Sequence, residues 1–124
     1  MIDKIRNEWN SIVDVPMNTE PTLIHVDQGM LMCNLMFEEL LEYRNAIQKN
    51  DLVEQADALG DIQYLLLGAV NQHGFHKKWK AIQEEIHRSN MTKLVGGKLI
   101  KRDDGKVMKP DTYERPNLED ILLS

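Results

Sequence analysis

Two pairs of acidic residues stand where a helical chain would be expected to bury leucine. Glu39 and Glu42 fall in the run Phe37-Glu38-Glu39-Leu40-Leu41-Glu42, and Asp57 and Asp61 in Glu54-Gln55-Ala56-Asp57-Ala58-Leu59-Gly60-Asp61. Residues three or four apart share one face of a helix, so each pair presents its carboxylates together. Four carboxylates converging between two helices repel one another unless something neutralises them. A hard divalent cation does so, and Mg²⁺, with Mn²⁺ as a substitute, prefers oxygen ligands. An ion held this way, with positions left for water, suits phosphate chemistry: it neutralises phosphate oxygens and lowers the pKa of bound water. Glu38 and Glu54 lie at the edges of these acidic stripes. Each is a candidate ligand, a base that orients the attacking water, or a solvated neighbour.

The elements that must position these groups follow from hydrophobic periodicity. The spacing predicts a first helix over 2–14 with Ile5, Trp9, Ile12 and Val13 on one side. A loop punctuated by Pro16 and Pro21 follows. A long helix over about 27–49 starts at Asp27 as N-cap and breaks at Asn50-Asp51. A third, over 51–72, ends at His73-Gly74. The short connection makes the second and third helices antiparallel neighbours. On a helical wheel, Gln28, Leu31, Met32, Leu35, Glu39, Glu42 and Ala46 form one stripe, apolar first and acidic later. Glu54, Asp57, Asp61, Leu65 and Gly68 form the opposing stripe, acidic first and apolar later. Antiparallel packing therefore brings the acidic halves to one level. A fourth helix spans 76–93 with Trp79, Ile82 and Ile86 inward. After Gly96-Gly97, Asp103-Asp104-Gly105 between two short alternating runs signals a hairpin, and Pro110 and Pro116 mark a tail. The expected architecture is an all-α antiparallel bundle of four to five helices in one domain, 1–124, with a helical body over 2–95 and a hairpin and tail over 96–124.

The chain has 124 residues, 42% of them hydrophobic, and a net charge of -5, which suits one core and argues against wholesale binding of a nucleic acid polymer. Residues 1–75 hold twelve Asp/Glu against four Lys/Arg, and residues 76–124 hold eight against eleven. The basic part offers phosphate donors: Asn90 and Lys93, one helical turn apart, then Lys98, Arg102, Lys106 and Lys109, with Tyr113 able to cover a bound nucleotide. No Gly-x-x-x-x-Gly-Lys loop is present, which excludes a P-loop enzyme. Cys33 is the sole cysteine, so no internal disulfide can form. No apolar run reaches the ~20 residues that span a bilayer, and the N-terminus lacks a secretory apolar segment, so a cytoplasmic location is expected. A rival chemistry is a di-iron carboxylate bundle, for which Glu84-x-x-His87 supplies one copy of the needed motif.

The motifs in their order resemble the all-α nucleotide pyrophosphohydrolases. That superfamily includes the MazG-like enzymes, and the nearest resemblance is to its phosphoribosyl-ATP pyrophosphohydrolase-like branch. Glu39-x-x-Glu42 is followed by Asp57-Ala58-Leu59-Gly60-Asp61-Ile62-Gln63-Tyr64, by Ser89-Asn90-Met91-Thr92-Lys93, and by Asp104-Gly105-Lys106-Val107-Met108-Lys109. The resemblance covers roughly 27–116. One position departs from the MazG-like pattern: Ala58 stands where a Glu is usual, and Asp57 takes its role. The resemblance then implies Glu39, Glu42, Asp57 and Asp61 as the metal set, with Glu54-x-x-Asp57 as an alternative second pair. It implies Mg²⁺-dependent hydrolysis of a nucleoside triphosphate or related nucleotide to a monophosphate and pyrophosphate. It also implies a homodimer or homotetramer.

Overall fold

In the computed structural model, which describes residues 1–124, every regular element is a helix. Contacts divide the chain into two units, Met1–His76 and Lys77–Ser124. The division falls well before the expected boundary at 95, so the fourth helix groups with the tail and not with the helices before it. No helix is long and apolar enough to cross a membrane.

The first unit is built on an antiparallel pair, α2 (Val26–Gln48) and α3 (Leu52–Gln72), preceded by α1 over residues 2–13. The ends of α2 and α3 are set by local chemistry. Asp51 caps α3, its Oδ1 accepting from Glu54 N at 3.1 Å. The N-cap of α2 is His25 and not Asp27: the His25 Nδ1 accepts from Asp27 N at 3.1 Å, leaving Asp27 in the first turn, where its charge suits the helix N-terminus. Both helices finish in the same way. Asn50, at φ 54, turns the chain left-handed while Asp51 N reaches back to Ala46 O and Asn50 N to Ile47 O. Gly74, at φ 73, does this for α3, with Phe75 N on Val70 O and Gly74 N on Asn71 O. This paired closure satisfies the last carbonyls of a helix. At Gly74 a Cβ would collide with the Glu20 backbone carbonyl, so glycine is needed there for space as well as for backbone angle.

The register of the pair is pinned at both ends. Gln28 Nε2 donates to Gln72 Oε1 at 2.8 Å where the hairpin is open, and Gln55 Nε2 to Ala46 O at 3.3 Å near its turn. Between them Met32, Ala46, Ala58 and Leu67 are buried. The loop from α1 to α2 is tied to the end of α3, with Asn18 N on Gln72 O and Thr22 N on His73 O. Arg6 fixes α1 to the same place, its guanidinium donating to Asn71 O at 2.9 Å and to Asn18 O at 3.0 Å.

α1 departs from expectation in its phase. Residues Ile5–Asn10 form a π-helical stretch. A π turn brings residues five apart onto one face, so Ile5 (1% exposed) is followed inward by Asn10 (2%), while Trp9 is 47% and Ile12 75% exposed. The 3.6-residue wheel assigned that inward place to Trp9 and Ile12.

In the second unit, α4 (Trp79–Met91) follows a 3-10 turn at His76–Lys78 and buries Ile82, and α5 (Leu118–Leu123) closes the tail. Ile86 is 37% exposed, against the expectation that it points inward with Ile82. The tail is held on α4 by polar contacts. Buried Ser89 donates from Oγ to Glu114 O at 2.7 Å, Glu114 N donates to Thr92 Oγ1 at 2.8 Å, and Arg88 bridges Glu85 and Glu114. The Lys78 ammonium donates to the carbonyls of Ile121 and Ser124. The expected hairpin is reduced to isolated antiparallel bridges, Lys101 with Val107 around the Asp103–Gly105 turn and, before it, Val95 with Lys98 around Gly96-Gly97. The two short ribbons leave Val95, Leu99, Ile100 and Met108 exposed, and a lone hairpin of that kind gains little by extending its ladder.

Candidate metal centre

With Gln28 opposite Gln72 and Ala46 opposite Gln55, the antiparallel register puts Glu39 of α2 opposite Asp61 of α3. Glu42 lies one turn further along α2. Carboxylate oxygens of Glu39, Glu42 and Asp61 all lie within 4.8 Å of one another. Glu39 and Asp61 are half-buried and Glu42 is exposed, and the Glu39 Oε2 is closed off from solvent with no hydrogen-bond donor. Its carboxyl is pushed up to about 7, first by burial, then by Glu42 within hydrogen-bonding reach, then by the charges of Glu42, Asp61 and Asp57. A buried acceptor without a donor is costly, and an orphaned anionic oxygen facing two more carboxylates is the donor set a hard dication takes. The residues present therefore fit such an ion, with Glu39, Glu42 and Asp61 as its holders.

The other acids stand differently. Asp57 adds to the field on Glu39 but is exposed and falls outside the trio. One turn nearer the α3 N-terminus than Asp61, it sits with Glu42 and Glu54 in an adjoining polar cavity of about 470 Å³. Three acids thus gather where four were expected. Glu54 lines that cavity and is exposed, and Glu38 is exposed and apart from the trio, because a helix rotates by about 100° between neighbours. The polar cavity also contains Asn45 and Lys49, which the sequence reading passed over. Their position at the end of α2 beside the acidic level was the available signal.

At the other end of the trio lies an apolar cavity of about 360 Å³. Leu35, one turn before Glu39, and Leu65, one turn after Asp61, begin it, so it opens where the acids stop. Trp9 and Tyr64 meet edge to face across it, ring centroids 6.1 Å apart. Asn10 and Gln72 are its buried polar residues, and Asn10 was not anticipated, since only the π-helical stretch turns it inward.

In the second unit, Lys93 and Lys109 both place their ammonium groups over the ring of Tyr113, at 5.8 and 5.1 Å from its centroid. The Ser89 hydroxyl lies 3.3 Å from the Tyr113 oxygen. The phenol is held below its ordinary pKa by that hydrogen bond first, and by the charges of Lys109, Lys93 and Arg115. Asn90 and Lys106 are exposed and outside this cluster. The di-iron alternative finds no support: Glu84 is exposed and pairs with Lys80 at 3.9 Å, His87 is exposed, and neither joins a group of metal-ligating side chains.

The family model for phosphoribosyl-ATP pyrophosphohydrolase matches residues 7–90, more than half of the chain and every residue of the trio. Among curated proteins none matches the chain.

Proposed function

The chain belongs to the phosphoribosyl-ATP pyrophosphohydrolase family, and from that premise we propose a Mg²⁺-dependent enzyme that cleaves a nucleoside triphosphate, or a related nucleotide, to a monophosphate and pyrophosphate. Hydrolysis of a phosphoric anhydride bond in a nucleotide is the class of activity the family carries. The observation that carries the finer reading is the orphaned Glu39 oxygen among Glu42 and Asp61, between a polar and an apolar cavity. A bound Mg²⁺ supplies charge for phosphate oxygens and a lowered pKa for water. The chain's residues supply the rest. Glu39, Glu42 and Asp61 hold the ion, with Asp57 and Glu54 as further acids beside it. The apolar cavity with Trp9 and Tyr64 takes the base, which keeps the phosphates at the acidic level.

Hydrolysis adds a water oxygen to phosphorus and breaks the anhydride P–O bond. The bond's electron pair leaves with pyrophosphate, and the water proton passes to a base. Glu38, open to solvent and about 100° around the helix from Glu39, is the proposed acceptor of that proton, reached through a water. Lys93, Lys109 and Tyr113, which form one cationic cluster, and Asn90 and Lys106 are proposed phosphate contacts on their charge and donor chemistry. A homodimer or homotetramer is part of this reading. Phe37, Leu40 and Leu41 on α2 are 59%, 52% and 56% exposed and line a groove with Ile47. A contiguous apolar face of that kind marks an interface, and a second copy of the chain is the proposed occupant. A cytoplasmic setting completes the proposal.

A panel of ribonucleoside and deoxyribonucleoside triphosphates with Mg²⁺, assayed for pyrophosphate, tests it. Release that stops with EDTA and with Glu42→Gln is expected. Release of orthophosphate alone, or pyrophosphate release that persists in Glu42→Gln, would contradict it.

A further inference from the structure

The apolar cavity contains a hydrogen-bond donor whose direction is fixed by its surroundings. Asn71, fully buried, donates from Nδ2 to the Ile2 carbonyl at 3.1 Å and to Asn10 Oδ1 at 3.2 Å. A backbone carbonyl can only accept, so it decides which end of the Asn71 amide carries the hydrogens. That in turn turns the oxygen of Asn10 toward Asn71 and its NH₂ away. The Asn10 Nδ2 hydrogens meet no acceptor in the protein. They lie beside Gly68, where a Cβ would sit 3.6 Å away, and both residues line the cavity. Gln72, the neighbouring buried amide, is already engaged, its Oε1 accepting from Gln28 and its Nε2 against Met32 Sδ. Asn10 is 2% exposed, and its free donor lies on the lining of the cavity, where a ligand can meet it. The Asn71 Oδ1 is buried without a donor, so the pair is held in its orientation at some cost to stability.

We propose that Asn10 is the base-reading residue of this enzyme: its Nδ2, aimed by Asn71, donates to a ring nitrogen of a purine base held in the apolar cavity. Adenine suits this cavity because its ring edge offers acceptors at N1, N3 and N7, one more than guanine, whose N1 carries a hydrogen, and the free Asn10 NH₂ takes one of them. An apolar pocket discriminates weakly between bases of similar size, whereas a site built to pair a polar group rejects analogues that lack the partner. The π-helical stretch of α1 is what makes this possible, since an α-helical α1 would turn Asn10 out of the cavity. The inference rests on the nucleotide reading above.

The test is equilibrium binding without metal, so that it does not depend on turnover. Calorimetry would compare AMP with its 1-, 3- and 7-deaza analogues, each lacking one ring acceptor, on the native chain and on Asn10→Leu, which keeps shape and removes the donor. Asn71 Nδ2 retains the Ile2 carbonyl in that variant. On the native chain one analogue should bind about tenfold more weakly than AMP, the scale of one hydrogen bond. On Asn10→Leu the difference should vanish, with AMP itself weakened to the level of that analogue. Gly68→Ala, whose methyl group meets Asn10 Nδ2 at ordinary contact distance, should weaken AMP selectively in the same way. No binding of AMP to the folded native chain, or an identical analogue ranking in native and Asn10→Leu, would overturn the proposal. Pyrophosphate release, measured separately, reports on the broader reading. Coupled binding without release leaves Asn10 as a base reader in a chain of other activity, and release without coupling leaves the activity and removes Asn10 from it.

Discussion

Replacing Glu39 by Gln should make the metal-free chain more stable, and by an amount that depends on pH. The Glu39 carboxyl is raised from 4.5 to about 7, chiefly by burial and then by Glu42. The folded chain therefore holds a proton that the unfolded chain has released anywhere between those two values. Stability that includes this proton is fully present below about pH 4.5 and is lost as pH rises through 7, the reverse of a salt-bridged carboxylate. Taken at face value the shift corresponds to at most about 3 kcal/mol. Glu42 is exposed, and water around the pair reduces this to about 1–2 kcal/mol. Glutamine keeps the shape and removes the titration. At pH 8 in EDTA the variant should exceed the native chain by that amount, or about 5 °C in Tm for a chain of this length. At pH 4 the two should agree closely. Added Mg²⁺ at pH 8 should reverse the order, because the native chain gains binding energy and the variant gains less. The assay is thermal or urea unfolding across pH at one protein concentration, with and without Mg²⁺. A difference between the two chains that stays flat from pH 4 to pH 8 would refute the reasoning, since the proton would then play no part.

Other perturbations follow from the same geometry. Asp61→Asn and Glu42→Gln should each lower pyrophosphate release by at least about 100-fold with an unchanged circular dichroism spectrum; retention of most activity in either would count against its place among the holders. Gly74→Ala forces a Cβ toward the Glu20 carbonyl at φ 73 and should cost about 2–4 kcal/mol in urea unfolding, with a cost below about 0.5 kcal/mol contradicting the close approach. Phe37→Asp puts a charge into the exposed α2 groove; light scattering should show a smaller assembly than native, and an unchanged mass would remove this face from the interface. Lys93→Ala should raise KM more than it lowers kcat, which steady-state kinetics would read directly, if its ammonium contributes ground-state phosphate binding.

Much of the frame was legible in the chain because it depends on local rules. Asn50 and Gly74 end their helices as left-handed residues, and Asp51 caps α3 through its side chain. Once α2 and α3 are antiparallel with a three-residue connection, Glu39, Glu42 and Asp61 must come to one level. The wheel could not rank Asp57 against Asp61. Both share an angle, and only the register set by Gln28 with Gln72 puts Asp61 opposite Glu39 and leaves Asp57 a turn away with Glu54. Nor could a 3.6-residue period foresee the π-helical stretch in α1. There the phase slips by about one residue, Trp9 moves partly outward, and Asn10 moves inward. The grouping of α4 with the tail depends on Arg88, Ser89 and Thr92 meeting Glu114. Those are polar contacts between distant residues with no periodic signature. Phe37, Leu40 and Leu41 lie outside the stripe that the wheel assigned to the pair, and one chain supplies no surface to cover them.

The central claim is that Glu39, Glu42 and Asp61 gather because a dication belongs among them. Mn²⁺ binding followed by electron paramagnetic resonance tests this without reference to any substrate. The native chain should bind Mn²⁺ saturably near neutral pH, Mg²⁺ should displace it, and Asp61→Asn and Glu42→Gln should each weaken it at least about tenfold while remaining folded. Equal Mn²⁺ binding by the native chain and by both variants would contradict the account.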